Sequence, residues 1–132
     1  MLRTGCLAIC AAAFVAALGQ QIADTSYNPP VAKPAYGQSK GPRVAIDEAH
    51  FNFHTLSGRY QSFGQLLRRD GYSVEASAAP FAEESLRGIR ILVIANALGE
   101  RNKDEKDWSL PRQSAFTATE IAAVVRWLSG VL

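Results

Sequence analysis

Two short apolar runs constrain this chain more than any other feature. They are Val44-Ala45-Ile46, closed by Asp47, and Ile91-Leu92-Val93-Ile94-Ala95. Continuous runs of this length suit strands covered on both faces, the kind a parallel sheet uses. Between them Tyr60, Phe63, Leu66 and Leu67 fall at helical spacing. Gly71 sits where a left-handed cap closes that helix, with Tyr72 folding back onto Leu67. Tyr72, Val74 and Ala76 alternate with polar neighbours, as in a half-exposed strand. A short helix is expected around Ala82 to Leu86, ending near Gly88. After the second run, Thr117-Ala118-Thr119-Glu120 reads as a capping box, and Phe116 and Ile121 as the ends of a hydrophobic staple. Ile121, Val124, Val125 and Leu128 form one apolar stripe at i, i+3, i+4 and i+7, and Gly130 is a natural stop.

Strands alternating with helices predict an α/β fold, a parallel sheet with helices on its faces. Right-handed crossovers favour the strand order 2-1-3, the start of a flavodoxin-like three-layer sheet. Only the first three strands and helices of that pattern are written here. A fourth strand beside strand three is missing apart from Val131-Leu132, which leaves the most apolar strand at an open edge. Residues 43–132 are therefore expected to be the amino-terminal part of a longer α/β domain.

The flanks have other compositions. Arg3, an uncharged apolar stretch from Leu7 to Leu18, and Ala17-Leu18-Gly19 follow the order of a secretory signal peptide, residues 1–19. The apolar stretch is short for a membrane span, which needs about 20 residues. The expected location is secreted or periplasmic; the alternative is an inner-membrane anchor formed by an uncleaved leader, the only membrane contact foreseen. Cys6 and Cys10, the only cysteines, both fall in this leader. A cleaved chain has neither a disulfide nor a thiolate nucleophile. Residues 20–42 hold Pro29, Pro30, Pro34 and Pro42 without apolar periodicity, and read as an extended linker. Of 14 basic and 12 acidic residues, Arg3, Lys33, Lys40 and Asp24 precede residue 43, so the domain carries 11 of each sign. With no basic patch interleaved with aromatics, nucleic acid is excluded as a partner.

Chemistry concentrates after strand one, in Asp47-Glu48-Ala49-His50-Phe51-Asn52-Phe53-His54-Thr55, which holds both histidines. Ligands of doubly wound sheets bind outside the carboxyl ends of the strands, at the switch point. The long loop from Asn96 to Ser114, with its charged run and Trp108, should face this segment. Asp47, Glu48, His50, Asn52, His54 and Asn96 are thus the candidate ligand-binding residues, and Glu48 or His50 the candidate catalytic base. His50 and His54 with Asp47 or Glu48 form a candidate divalent-metal site, on one face if the segment is helical. The plainer alternative has Asp47 and Glu48 accepting loop amides and the histidines hydrogen-bonded structurally. Asp47-Glu48-Ala49-His50 matches a helicase box, but no G-x-x-x-x-G-K-[ST] phosphate loop accompanies it. Arg68-Arg69 is the basic last turn of a helix, Ser57 and Ser114 are cap or loop residues, and no nucleophile elbow occurs.

The segment from Val44 to Thr55 is similar to a bacterial family of exported domains of unknown function, related to the class I glutamine amidotransferase-like fold. The resemblance continues through Gly58-Arg59-Tyr60, Leu66 to Tyr72, Ile91 to Ala97 and Ser114 to Gly130. It spans residues 43–132 and implies a flavodoxin-like, three-layer fold. It implies no reaction. Glutamine amidotransferases use a Cys nucleophile after a later strand, and this chain has no cysteine beyond its leader. Two functions follow: a domain binding a small molecule or protein partner at the ends of strands one and three, or a metal-assisted hydrolase centred on Asp47, Glu48, His50 and His54.

Overall fold

A computed structural model describes residues 24–104 and 113–130. The leader with both cysteines, the loop segment containing Trp108, and Val131-Leu132 lie outside the described residues. The elements are β1 (Arg43–Asp47), α1 (Gln61–Arg69), β2 (Ser73–Ser77), α2 (Glu83–Leu86), β3 (Ile91–Val93) and α3 (Ala118–Leu128), with one 3-10 turn at Glu100–Asn102. The three strands form one parallel sheet in the order β2-β1-β3, as the crossover rule predicts. Arg43 to Asp47 pair with Ser73 to Ser77 on one side, and Val44 to Ile46 with Ile91 to Val93 on the other.

β1 lies between the other two strands, and all of it but Arg43 is buried. Val44, Ala45, Ile46 and Asp47 are all at most 1% exposed. Below the sheet, Phe81, Leu86 and Ala123 form a cluster joined by Leu92, Phe116, Val124 and Trp127, so α2 and α3 cover one face together. Trp127 fixes α3 to the loop before β3 through its indole N–H, which donates to the Ile89 carbonyl at 2.9 Å.

The helix ends are those written in the sequence. α1 closes on a Schellman motif: the Tyr72 amide donates to Leu67 O at 3.0 Å and the Gly71 amide to Arg68 O at 3.1 Å. Gly71 has φ +94°, and a Cβ there would stand 2.2 Å from the Tyr36 carbonyl oxygen. Glycine serves both the left-handed turn and the close approach. α3 opens on the reciprocal Thr117–Glu120 capping box.

Three expectations change. β3 is shorter than the run that predicts it, and it is not covered on both faces: Ile91 and Ile94 are 40% and 43% exposed. The reason is its edge position in a three-stranded sheet. The buried stripe of α3 is Glu120, Ala123, Val124 and Trp127, whereas Ile121, Val125 and Leu128 face outward. α3 is apolar nearly all round, so spacing alone does not choose which side meets the sheet. Finally, residues 24–42 contain no helix or strand but do not hang free. The Ala35 amide donates to Asp70 Oδ1, the Tyr36 amide to Asp70 O, and Arg69 to Pro29 O. Tyr36 also packs edge-on against Tyr72, with ring centroids 5.2 Å apart. No helix among the described residues is long and apolar enough to cross a membrane.

Candidate functional site

The loop after β1 turns back sharply. Phe51 has φ +48°, and the buried Asn52 accepts the His50 amide at its Oδ1, 2.9 Å away. A bulky side chain at positive φ is strained. The turn directs Asn52 inward, where its Nδ2 donates to Asp47 Oδ2 at 2.9 Å and to the Ala95 carbonyl at 3.0 Å. The Leu98 amide donates to His50 O at 2.8 Å. The loop after β3 therefore meets the loop after β1, as the strand order requires. Asn96, at φ +51°, makes the turn on the β3 side and is itself exposed.

His50 lies at the centre. Its Nδ1 is 2.8 and 2.9 Å from the two Asp47 oxygens, and its Nε2 is 2.7 Å from Glu120 Oε1. A neutral imidazole has one donor nitrogen, and both nitrogens here face carboxylate oxygens. Only the imidazolium satisfies the arrangement. Phe81 and Phe116 close over the ring, each with its centroid 4.7 Å away. Burial pulls the His50 pKa down, but hydrogen bonds and charge from Glu120 and Asp47 outweigh it and raise it above the ordinary 6.5.

Glu120 is the residue that sequence reasoning placed only in a cap. Its Oε2 accepts from the Thr117 amide and hydroxyl, both at 2.8 Å, while Oε1 accepts from His50 and from the Phe81 amide at 3.3 Å. Burial pushes the carboxyl up. The Thr117 amide, the His50 ring, the Thr117 hydroxyl and the Phe81 amide overcome this and hold it at about 2. The Asp47–His50–Glu120 group therefore fastens the end of β1 to the first turn of α3, a buried ion network with every partner in place.

Glu48, His54 and Asn96 lie apart from that junction, and Asp47 and Asn52 belong to it. Glu48 Oε1 accepts the Leu56 amide at 2.6 Å, and Asp47 Oδ1 the Ala49 amide at 3.2 Å. These are the loop-amide roles foreseen as the plainer alternative. The His54 ring packs against Tyr60 and Phe53, with centroids 4.9 and 5.5 Å away, and its buried Nδ1 has no hydrogen-bond partner. Among the described residues no three His, Cys, Asp or Glu side chains are grouped to hold a metal ion. His50 offers no free nitrogen to one, and Asp47 is already shared between His50 and Asn52. The residues present do not form the divalent-metal site that the two histidines suggested.

An open concavity lies elsewhere at the same end of the sheet. A cleft of about 390 Å³ lies beside the carboxyl ends of β1 and β2, bordered by Glu48, Ser57, Gln61, Gln65 and Arg68, with Leu56 and Ala76 as its apolar walls. Gln61, Gln65 and Arg68 stand at i, i+4 and i+7 and so share one face of α1. Arg68 is steadied by donating to the Val74 carbonyl at 3.1 Å. Of the sequence candidates only Glu48 borders this cleft. Gln61, Gln65 and Arg68 were missed because polar residues on a surface helix carry no signal of their own; their i, i+4, i+7 spacing beside a strand end was the only clue.

No family model, curated protein or solved structure matches this chain. Sheet order and helix placement define it as a small α/β domain with a parallel sheet.

Proposed function

We propose that this chain is an exported binding domain of flavodoxin-like architecture that takes a small zwitterionic molecule, of amino-acid or dipeptide size, without transforming it. The observation that carries the reading is the pairing of opposite charges on one cleft. Glu48 and Arg68 border the same concavity, together with the neutral donors and acceptors of Ser57, Gln61 and Gln65. A guanidinium suits a carboxylate, a carboxylate suits an ammonium, and amides fix orientation. The volume is in the range of small-ligand sites, at the strand ends where ligands of doubly wound sheets bind. The non-catalytic part of the reading is supported by His50, whose nitrogens both face carboxylates, and by Glu48, the other candidate base, which accepts the Leu56 amide. The leader pattern of residues 1–19 supports a secreted or periplasmic location.

The test is calorimetry on the full chain with the standard amino acids and a panel of dipeptides as probes. Saturable binding is expected, weakened at least about tenfold, or about 1.4 kcal/mol, by Arg68→Leu and by Gln65→Ala. No saturable binding to any probe, or binding that both substitutions leave intact, overturns the reading. Hydrolysis of a dipeptide probe by the full chain would overturn the non-catalytic part.

A further inference from the structure

We infer that a second cleft, between residues 34–38 and the last turn of α1, is a binding site for a small phosphate monoester. It has a volume of about 410 Å³ and is bordered by Pro34, Tyr36, Gly37 and Gln38 on one side and by Arg68 and Arg69 on the other. None of these residues is acidic. The cleft exists because residues 24–42 dock on the domain. The Tyr36 amide donates to Asp70 O at 3.1 Å, and the Tyr36 ring lies against Gly41, where a Cβ would stand 2.7 Å from it.

The two arginines are tethered and still have donors to give. Arg68 Nη2 donates to the Val74 carbonyl at 3.1 Å, and Arg69 Nη1 to the Pro29 carbonyl at 3.0 Å. A guanidinium carries several N–H donors, so one tether leaves most of each fork for a ligand. Neither side chain is needed to close the helix, because the carbonyls of Leu66, Leu67 and Arg68 already accept the amides of Asp70, Tyr72 and Gly71. A cation in the last turn favours the helix dipole, but that benefit asks for no facing wall.

Charge gathers at the same place. Residues 43–132 hold 11 charges of each sign, so the net +2 of the chain comes from residues 1–42. Past the leader it rests on Lys33 and Lys40 against Asp24, and both lysines flank this wall. Lys33 precedes Pro34, and Lys40 packs on Gly37, where a Cβ would stand 3.6 Å from its Cγ. Asp24 lies toward the other end of α1, where its carbonyl accepts the Ser62 hydroxyl. The carboxylate next to Arg69, that of Asp70, is turned to the Ala35 amide at 2.7 Å.

Two adjacent guanidiniums with lysines at the rim suit a doubly charged tetrahedral oxyanion, whose three free oxygens can accept from both forks. No carboxylate is present to hold an ammonium, which separates this cleft from the one bordered by Glu48. Tyr36, 40% exposed, and Pro34 supply an apolar wall for the organic part of an ester.

Calorimetry of the full chain at pH 7.5 tests this, with phenyl phosphate as probe and phenyl sulfate as the control of like shape and one charge fewer. The variants are Arg69→Leu and Gln38→Glu, with the fold checked by circular dichroism. Arg68 borders both clefts and is left alone; Arg69 and Gln38 border only this one, so failure here is distinct from failure of the amino-acid reading. Gln38 is exposed, and a carboxylate there repels the ligand without disturbing the fold. Saturable binding of phenyl phosphate is expected, at least about tenfold tighter than phenyl sulfate and at least about tenfold weaker in each variant. No saturable binding of phenyl phosphate, equal binding of phenyl sulfate, or binding that either substitution leaves intact overturns the proposal.

Discussion

Replacing Glu120 with Gln removes the one carboxylate that joins α3 to the loop after β1. The side chain is nearly buried and accepts four hydrogen bonds, from His50, Phe81 and twice from Thr117. Its pKa falls from 4.5 to about 2 on folding. That difference corresponds to about 3 kcal/mol of stability at neutral pH. Breaking a buried ion pair by removing one partner costs about 3–5 kcal/mol by independent reckoning, so the two estimates agree. For a domain of this size, holding roughly 5–10 kcal/mol in all, the loss is severe. The sign with pH is fixed by the direction of each shift. A carboxyl with a depressed pKa stabilises the fold above 4.5 and loses that contribution as pH falls toward 2. A histidine with a raised pKa stabilises it below 6.5 and loses that contribution as pH rises through its folded value. Parent stability should therefore be greatest between about pH 4.5 and 6.5 and decline on either side. Urea unfolding followed by circular dichroism, at one protein concentration, should show Glu120→Gln less stable by about 3 kcal/mol at pH 6. At pH 3 the difference should shrink to about half, because the parent has itself lost much of the contribution. A penalty below about 1 kcal/mol at pH 6, or one of the same size at pH 3, would refute the assignment of Glu120 as the ionised partner of His50.

Two other substitutions probe the frame around this junction. Gly71→Ala should cost about 2 kcal/mol or more, since alanine at positive φ is strained and its Cβ meets the Tyr36 carbonyl; faster tryptic cleavage after Lys40 should accompany the lower melting temperature as residues 24–42 detach. Trp127→Phe keeps most of the packing but leaves the Ile89 carbonyl without the indole donor, at a cost of about 1–2 kcal/mol in urea unfolding; no change would show that water replaces the indole.

The parts of this fold set by local chemistry were legible in the sequence. The alternation of apolar strand runs with helices marked a parallel sheet, and the crossover rule placed β1 between the other two strands. Gly71 after Arg68-Arg69 marked the end of α1, and Thr117-Ala118-Thr119-Glu120 the start of α3. Each of these signals lies within a few residues of the feature it specifies. The outward turn of Ile121, Val125 and Leu128 was not legible, because α3 offers two apolar stripes and only the three-dimensional position of the sheet selects one. The Glu120–His50 contact joins residues 70 apart in the chain. Its existence depends on where the first turn of α3 lands against the loop after β1, and no spacing rule carries that. The same contact explains why much of the densest polar segment is a closed junction: Asp47 and His50 are used up in holding two elements together, and the cleft beside it is left to Glu48 and the polar face of α1.

Nuclear magnetic resonance of the histidine ring nitrogens tests that junction most directly. The chain has only His50 and His54, so a His54→Gln variant assigns both. At pH 6.5, the ordinary midpoint of the group, His50 is predicted to be mostly imidazolium, with protons on both Nδ1 and Nε2. Loss of one proton should come only at higher pH. A His50 ring that is mostly neutral at pH 6.5, with one nitrogen bare, would contradict the reading of this cluster as a closed ion network and return His50 to the list of candidate bases.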